Sequence, residues 1–390
     1  MWTGLPAVTA RAYRFFGRTV RVDCDDPAVA DLLDAIYDRQ RVDDAADPGR
    51  AALPDLVVAV RADGPGGPRV ELGGRTVRAP SAGELAHHAH LVLVNAAAAL
   101  ADGRRVLHAG AVARDGRAVL IVGRSGWGKT TQTLALVQRG WRLLSDDFAV
   151  VRADGTVEPF VRRVNLTTAS LDLLDLAPPP GSPIVAGFGG RVKWMVDVEQ
   201  LWPDRLGGPA RLAAVCLLAS AASSTPPAGP WRLEVDHLPA GFVADLAAIP
   251  GVASVAPATT PDAHAHHLVI HTAGAARIVA AVDRVCAAHD VAVLSAHAGA
   301  AAPPDFGPAP ALDPIDPAAA LDALLFHDLS LAGRRFLFGT HPPDVLAARA
   351  ALRTAVAACD AAVYRLSPGP VAATADLIAG LLDDAGDGAR

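Results

Sequence analysis

The stretch Gly123-Arg124-Ser125-Gly126-Trp127-Gly128-Lys129-Thr130 decides the fold, because it is a complete G-x-x-x-x-G-K-[ST] sequence in a setting that suits it. The apolar run Ala118-Val119-Leu120-Ile121-Val122 before it predicts a buried strand, and residues 131–139 after it predict an amphipathic helix that stops at Gly140. In that order, backbone N–H groups can turn inward around phosphate oxygens while the helix points its positive end at them. Lys129 would bring a mobile cation to the β- and γ-phosphates, and Thr130 a hydroxyl to a magnesium ion. The candidate nucleotide-binding residues are therefore Gly123, Ser125, Gly126, Trp127, Gly128, Lys129, Thr130 and Thr131, with ATP and Mg2+ as the expected ligands. A glycine-rich turn that binds nothing is the plain alternative, and the matching flanks count against it.

A phosphate loop does not name a reaction, so the next charged cluster matters. Trp141-Arg142-Leu143-Leu144 predicts a short strand running into Ser145-Asp146-Asp147, and Phe148-Ala149-Val150-Val151 continues it beyond the carboxylates. Paired carboxylates inside an apolar run are costly unless a cation or hydrogen bonds compensate them. In phosphoryl transfer one such carboxylate can serve the metal while the other takes a proton from the attacking hydroxyl. A surface turn is the competing reading.

Leu107-His108-Ala109-Gly110-Ala111-Val112-Ala113, the phosphate loop, and Arg139-Gly140-Trp141-Arg142-Leu143-Leu144-Ser145-Asp146-Asp147 together resemble the catalytic core of HPr kinase/phosphorylase-like proteins, of the same superfamily as ATP-dependent phosphoenolpyruvate carboxykinase. The resemblance implies an α/β P-loop kinase core with a mixed sheet. It also implies that His108 sits near the transferred phosphate, Asp146 acts as general base with Lys129 in the catalytic set, and Asp147 stands with Thr130 nearer the metal. The match is specific over residues 107–151 and is not to HPr kinase itself, whose glycine-containing signature and basic loop after the Asp pair are absent. Residues 159–167 and 189–197 are similar instead to diverged HPr-kinase-related proteins found beside peptide-modifying enzymes. That implies a hydroxyl of a peptide, protein or small molecule as the acceptor, in peptide natural-product modification. Read without the resemblance, a histidine between Leu107 and Ala109 is an ordinary core residue.

Arg162, Arg163, Arg191 and Lys193 are candidate clamps for phosphate or an acidic substrate, since guanidinium forks suit phosphate oxygens and a lysine on an apolar strand wants a partner. Exposed basic residues on strand edges are the bland alternative. The chain of 390 residues is long enough for two or three domains, and 51% hydrophobic with 19% charged residues is a globular composition. A net charge of −6 and no basic stripe argue against a nucleic-acid partner. Four well-separated cysteines, Cys24, Cys216, Cys286 and Cys359, read as reduced thiols in a cytoplasmic protein. No long apolar run suggests a membrane partner, and a homo-oligomer is left open.

Residues 1–106 read as an N-terminal α/β domain, with strand patterns at 13–22, 56–60 and 70–77 and helices at 27–37 and 83–101. His87, His88 and His90 on the last helix read as ordinary helix residues. Residues 107–225 and 304–390 form the kinase-like core. Between them, flanked by linkers at 219–229 and 298–310, residues 230–297 read as an inserted ferredoxin-like α+β module of order βαββαβ, whose Val235 and Val293 should lie close together. The Asp262–His267 cluster invites a metal reading, but solvated loop histidines are the default. Two function classes follow: an ATP-dependent kinase, or a nucleotide-gated binding protein with little catalysis. His108 and the Asp pair discriminate them, because a binding module has no use for a base beside the γ-phosphate.

Overall fold

The computed structural model describes residues 8–42, 53–64, 66–79, 81–124, 126–186, 192–218, 231–257, 266–272, 275–298, 306–330 and 342–383. Ser125, Arg191, the first linker, most of the second and the histidine-rich cluster up to residue 265 lie outside them. The chain is a mixed α/β protein whose described strands form four sheets.

The N-terminal sheet contains β1 (Thr9–Phe15), β2 (Arg18–Cys24), β3 (Leu56–Arg61), β4 (Arg69–Leu72) and β5 (Arg75–Arg78) in that order, with α1 (Pro27–Ile36) and α2 (Ala82–Ala99) packed on it. Two of the sequence-read strands are hairpins: β1 and β2 turn at Phe16-Gly17, β4 and β5 at Gly73-Gly74, all four residues having positive φ. Asp26 caps α1, accepting from the backbone N–H groups of Ala28 and Val29.

The central region follows as β6 (Arg104–Leu107), β7 (Ala109–Arg114), β8 (Arg117–Val122), α3 (Lys129–Gln138), β9 (Arg142–Ser145), β10 (Ala149–Arg152) and β11 (Thr156–Glu158). A three-stranded sheet comes next, with β12 (Val164–Thr167), α4 (Thr168–Leu174), β13 (Ile184–Ala186) and β14 (Val192–Val196) in the strand order β12-β14-β13. Then come α5 (Val198–Leu201) and β15 (Ala210–Leu218). β16 (Trp231–Val235), α6 (Phe242–Ala247), β17 (Val252–Pro257), β18 (His266–Thr272), α7 (Ala275–Ala288) and β19 (Val293–Ala298) make a fully antiparallel sheet of order β17-β18-β16-β19. The chain returns to the large sheet with β20 (Ala311–Pro314), α8 (Pro317–Phe326), α9 (Pro342–Ala358), β21 (Ala362–Ser367) and α10 (Val371–Asp383).

The large sheet curls on itself. β7 pairs with β8, β8 with β15, β15 with β11, β11 with β10 and β10 with β6, which returns to β7 through His108 alone. Alternation of side chains along the strands sorts the two faces. Leu107, Ala111 and Leu120 pack on one side with Leu321 of α8 and Leu352 of α9, while Val112, Val119 and Ile121 face Leu134 of α3 and Ile378 of α10 on the other.

Segments 104–114 and 142–152 run antiparallel along their whole length. Their ladder stops after Leu107–Ala149 and resumes at Ala111–Ser145, so residues 108–110 and 146–148 face each other without ladder pairing. The expected continuation of β9 beyond the carboxylates is therefore interrupted: Ser145 Oγ accepts from the N–H of Phe148 at 3.0 Å, turning the chain before β10 begins. Within this gap Gly110 lets α3 close on the sheet. A Cβ there would overlap Thr133 Oγ1 and stand 3.3 Å from Thr133 Cβ.

The four-stranded sheet leaves and rejoins the chain on neighbouring strands, with Trp231 paired to Ala298 and Val235 to Val293. It docks on the N-terminal sheet through Asp236, a buried carboxylate that accepts from the N–H of Arg78 at 3.1 Å and of Ala292 at 2.8 Å.

Gly110→Ala is expected to destabilise the protein by about 1–3 kcal/mol through overpacking, and the double variant Gly110→Ala/Thr133→Ala to recover part of the loss. Urea unfolding of the three proteins checks this, and equal midpoints would contradict the packing described.

Candidate active site

Three chain segments arrive at one end of the large sheet. β8 ends at Val122 opposite Ala109, the first residue of β7, and β9 ends at Ser145 opposite Ala111. The phosphate loop after β8, His108 before β7 and the Asp pair after β9 thus share the same rim, the end of parallel strands at which α/β folds bind ligands.

The loop has the backbone its glycines allow, with Gly126 at φ +78° and Gly128, which precedes α3, at φ +90°. Lys129 is buried and folds back over the loop, its Nζ donating to the Arg124 carbonyl at 3.1 Å. Burial pulls its pKa down, opposed by the charges of Asp147 and Asp146. Trp127 packs half-buried against the α3 side of the sheet with the Arg124 guanidinium 5.6 Å from its ring centre. Thr131 turns away, its hydroxyl 3.3 Å from Ser170 Oγ on α4.

The two carboxylates are treated in opposite ways. Asp147 accepts from Arg162 Nη2 at 2.6 Å, and its other oxygen stands 3.6 Å from His108 Nε2. Burial works to raise its pKa and is outweighed by contact with His108 and by the Arg162 charge, leaving it well below the usual carboxylate range. Asp146 is 3% exposed, and neither of its side-chain oxygens accepts a hydrogen bond. Burial and the neighbouring Asp147 charge raise its pKa, against the smaller pulls of Arg162, the Thr130 hydroxyl and Lys129. The Thr130 hydroxyl lies close enough to favour the charged form without the geometry of a full hydrogen bond. His108 is pushed towards the neutral imidazole, first by burial and then by the Lys129 charge.

The candidate clamps divide. Arg162 is in the site but is committed to Asp147, with its guanidinium 4.8 Å over the Phe148 ring. Arg163 is engaged by Asp38 at 3.2 Å and Arg39 by Asp197 and Glu199, so this basic pair ties the short helical turn Asp38–Gln40 to the core. Lys193 stands on β14 between Thr167 of β12 and Val185 of β13. Its charge reaches Lys129 and the α2 histidines, and among the described residues it forms no ion pair. Two lysines whose charges act on each other favour an anion bound near both.

The residues fit a hydrated magnesium ion on its nucleotide. The two orphaned oxygens of buried Asp146, the Thr130 hydroxyl and Asp147 are all hard oxygen donors. Among the described residues no group of three or more His, Cys, Asp or Glu is placed to hold a metal ion.

Sequence reading missed the second layer. His90 of α2 is hydrogen-bonded to the Tyr37 hydroxyl and its ring centre lies 6.1 Å from that of Phe148, so His90 stands next to the Asp-pair segment. His327, after α8, accepts at its carbonyl from the His108 N–H at 2.8 Å and brings its ring 6.3 Å from that of His108. Asp328 follows, buried and paired with Arg105, and pins this segment to β6. Only the placement of three histidines on an otherwise Ala-, Leu- and Val-rich helix hinted at any of this.

No family model matches the chain, and no curated protein does. Among solved structures it is similar to the Hpr(Ser) kinase/phosphatase from Coxiella burnetii, at 20% identity over 33% of this chain and 76% of that one, with a TM-score of 0.19. Among the described residues no helix is long and apolar enough to cross a membrane.

Burial pushes the His87 pKa down to about 3, helped by the charges of His88 and Lys193, and holds His90 well below its ordinary value. The unfolded chain therefore binds protons that the folded one refuses, so this stability is complete above pH ~6.5 and is lost as pH falls toward about 3, at roughly 1.4 kcal/mol per pKa unit. Urea unfolding at pH 7 and 4.5 should show this loss, and His87→Gln should make it smaller.

Proposed function

We propose that this chain is an ATP-dependent phosphotransferase that moves the γ-phosphate to a hydroxyl of a peptide, protein or small molecule, in the setting of peptide natural-product modification. The observation that carries the reading is Asp146. An unpartnered carboxylate at 3% exposure costs several kcal/mol in a fold with no use for it. Beside a phosphate loop it is a proton acceptor held ready.

In this reading Lys129 leaves the Arg124 carbonyl for the β- and γ-phosphate oxygens, joined by the loop amides and by Lys193 from the facing sheet. The acceptor hydroxyl gives its proton to Asp146 as its oxygen bonds to the γ-phosphorus, and the bond to the β,γ-bridging oxygen breaks to release ADP. Thr130 and Asp147 would hold Mg2+, which when bound neutralises charge on the transferring group. Arg162 and His108 keep Asp147 ionised and in place. Residues 1–106 form the supporting N-terminal domain, 107–225 with 304–390 the catalytic core, and 230–297 an inserted ferredoxin-like module that meets the acceptor or a partner.

Lys129→Ala should weaken Mg-ATP binding in calorimetric titration by about 10-fold or more, since each charge-assisted bond contributes about 1.5–3 kcal/mol. Asp146→Asn should still bind Mg-ATP but lose about 10²- to 10⁴-fold in transfer to a hydroxyl-bearing peptide or small-molecule acceptor. An active Asp146→Asn protein with an inactive Asp147→Asn one would reverse the two roles. A chain that binds ATP and transfers to no acceptor would be the nucleotide-gated binding protein instead.

A further inference from the structure

The loop before β20 brings an aromatic side chain to the rim of the phosphate loop. Phe306 is 50% exposed, and its Cζ lies 3.7 Å from the position a Cβ on Gly128 would take. Among the described residues the other large apolar side chains with comparable exposure are aliphatic: Val8, Leu53, Val57, Leu173, Ile184, Val192 and Leu346. An exposed phenyl ring against the last glycine of an anion-binding loop serves neither the core nor the anion, since it has no polar edge.

The ring's backbone is firmly held. The N–H of Gly307 donates to the Pro368 carbonyl at 3.0 Å, and Gly369 packs so closely on Ala309 and Pro310 that any side chain there would collide with their backbone. β20 then pairs with β21, and β21 runs parallel to β15, so Phe306 is tied to the same sheet end that carries the phosphate loop.

We propose that Phe306 is the platform on which the nucleobase of the bound nucleotide stacks. The inference rests on the nucleotide reading of the phosphate loop and adds the residue that takes the other end of the ligand. The loop amides and Lys129 grip an anion. A planar, apolar group attached to that anion finds beside it a fixed aromatic face with half its surface in water, and stacking removes both surfaces from water. A phenyl ring offers no hydrogen-bond edge, so this contact supplies affinity for a base without choosing among bases.

The test compares ligands with and without a base on the full chain. Binding of Mg-ATP, Mg-GTP and Mg-tripolyphosphate is measured by calorimetry for the wild-type, Phe306→Ala and Phe306→Trp proteins. Phe306→Ala should weaken both nucleotides by about 5- to 100-fold, the range of base–aromatic stacking, and leave tripolyphosphate unchanged, while Phe306→Trp keeps nucleotide affinity. Equal loss for nucleotide and tripolyphosphate would mean that the ring only supports the loop, and no loss for any ligand that it takes no part in binding; either overturns the proposal. A wild-type protein that binds none of the three ligands would instead refute the nucleotide reading itself.

Discussion

The site depends on a break in a β-ladder. Two antiparallel segments, 104–114 and 142–152, pair on either side of a gap, with a bulge at Ala111/Val112, and within the gap His108 to Gly110 and Asp146 to Phe148 do not pair with each other. Ladder pairing would occupy the backbone and send the side chains of successive residues to opposite faces. Released from it, Asp147 turns toward His108 and Arg162 while Asp146 stays in the interior. The paired ends on both sides hold the gap open at fixed width, so what would be a defect in a sheet becomes a rigid frame for charge.

Charge balance around the gap follows from who has a partner. Asp147 is neutralised by an arginine that is itself buried and stacked on Phe148. Asp146 has no such partner, and Lys129 and Lys193 repel each other. In the proposed reading a magnesium nucleotide would supply a cation beside Asp146 and an anion beside the two lysines.

How much of this could be read from the chain depends on range. The loop and its flanks were legible because their glycines, lysine and apolar strand lie within twenty residues, and periodicity located α3, α2 and the β16–β19 succession to within a few positions. The Asp pair was legible as a polar interruption of an apolar run. The partner of Asp147 was not: Arg162 read as a free clamp because nothing local links it to a carboxylate fifteen positions away, and Arg163 beside it went to Asp38 of the N-terminal domain. The α2 histidines read as ordinary helix residues since their spacings do not all share a face, and the contact of His90 with Phe148 comes from how the helix packs. Phe306, in a stretch of Ala, Pro and Gly, had no periodic neighbour to mark it.

The adjacency of Trp231 and Ala298 bears on how such a chain can change over evolutionary time. Where a segment departs and returns on neighbouring strands, its length and content can drift, or the whole segment be exchanged, without altering the distance its flanks must span. The constraint on replacement lies elsewhere, at the contacts with Arg78, where the buried carboxylate Asp236 satisfies its backbone N–H and Asp290 meets its guanidinium. A lineage could thus acquire new recognition by recombination at one seam, provided acceptors for Arg78 survive there.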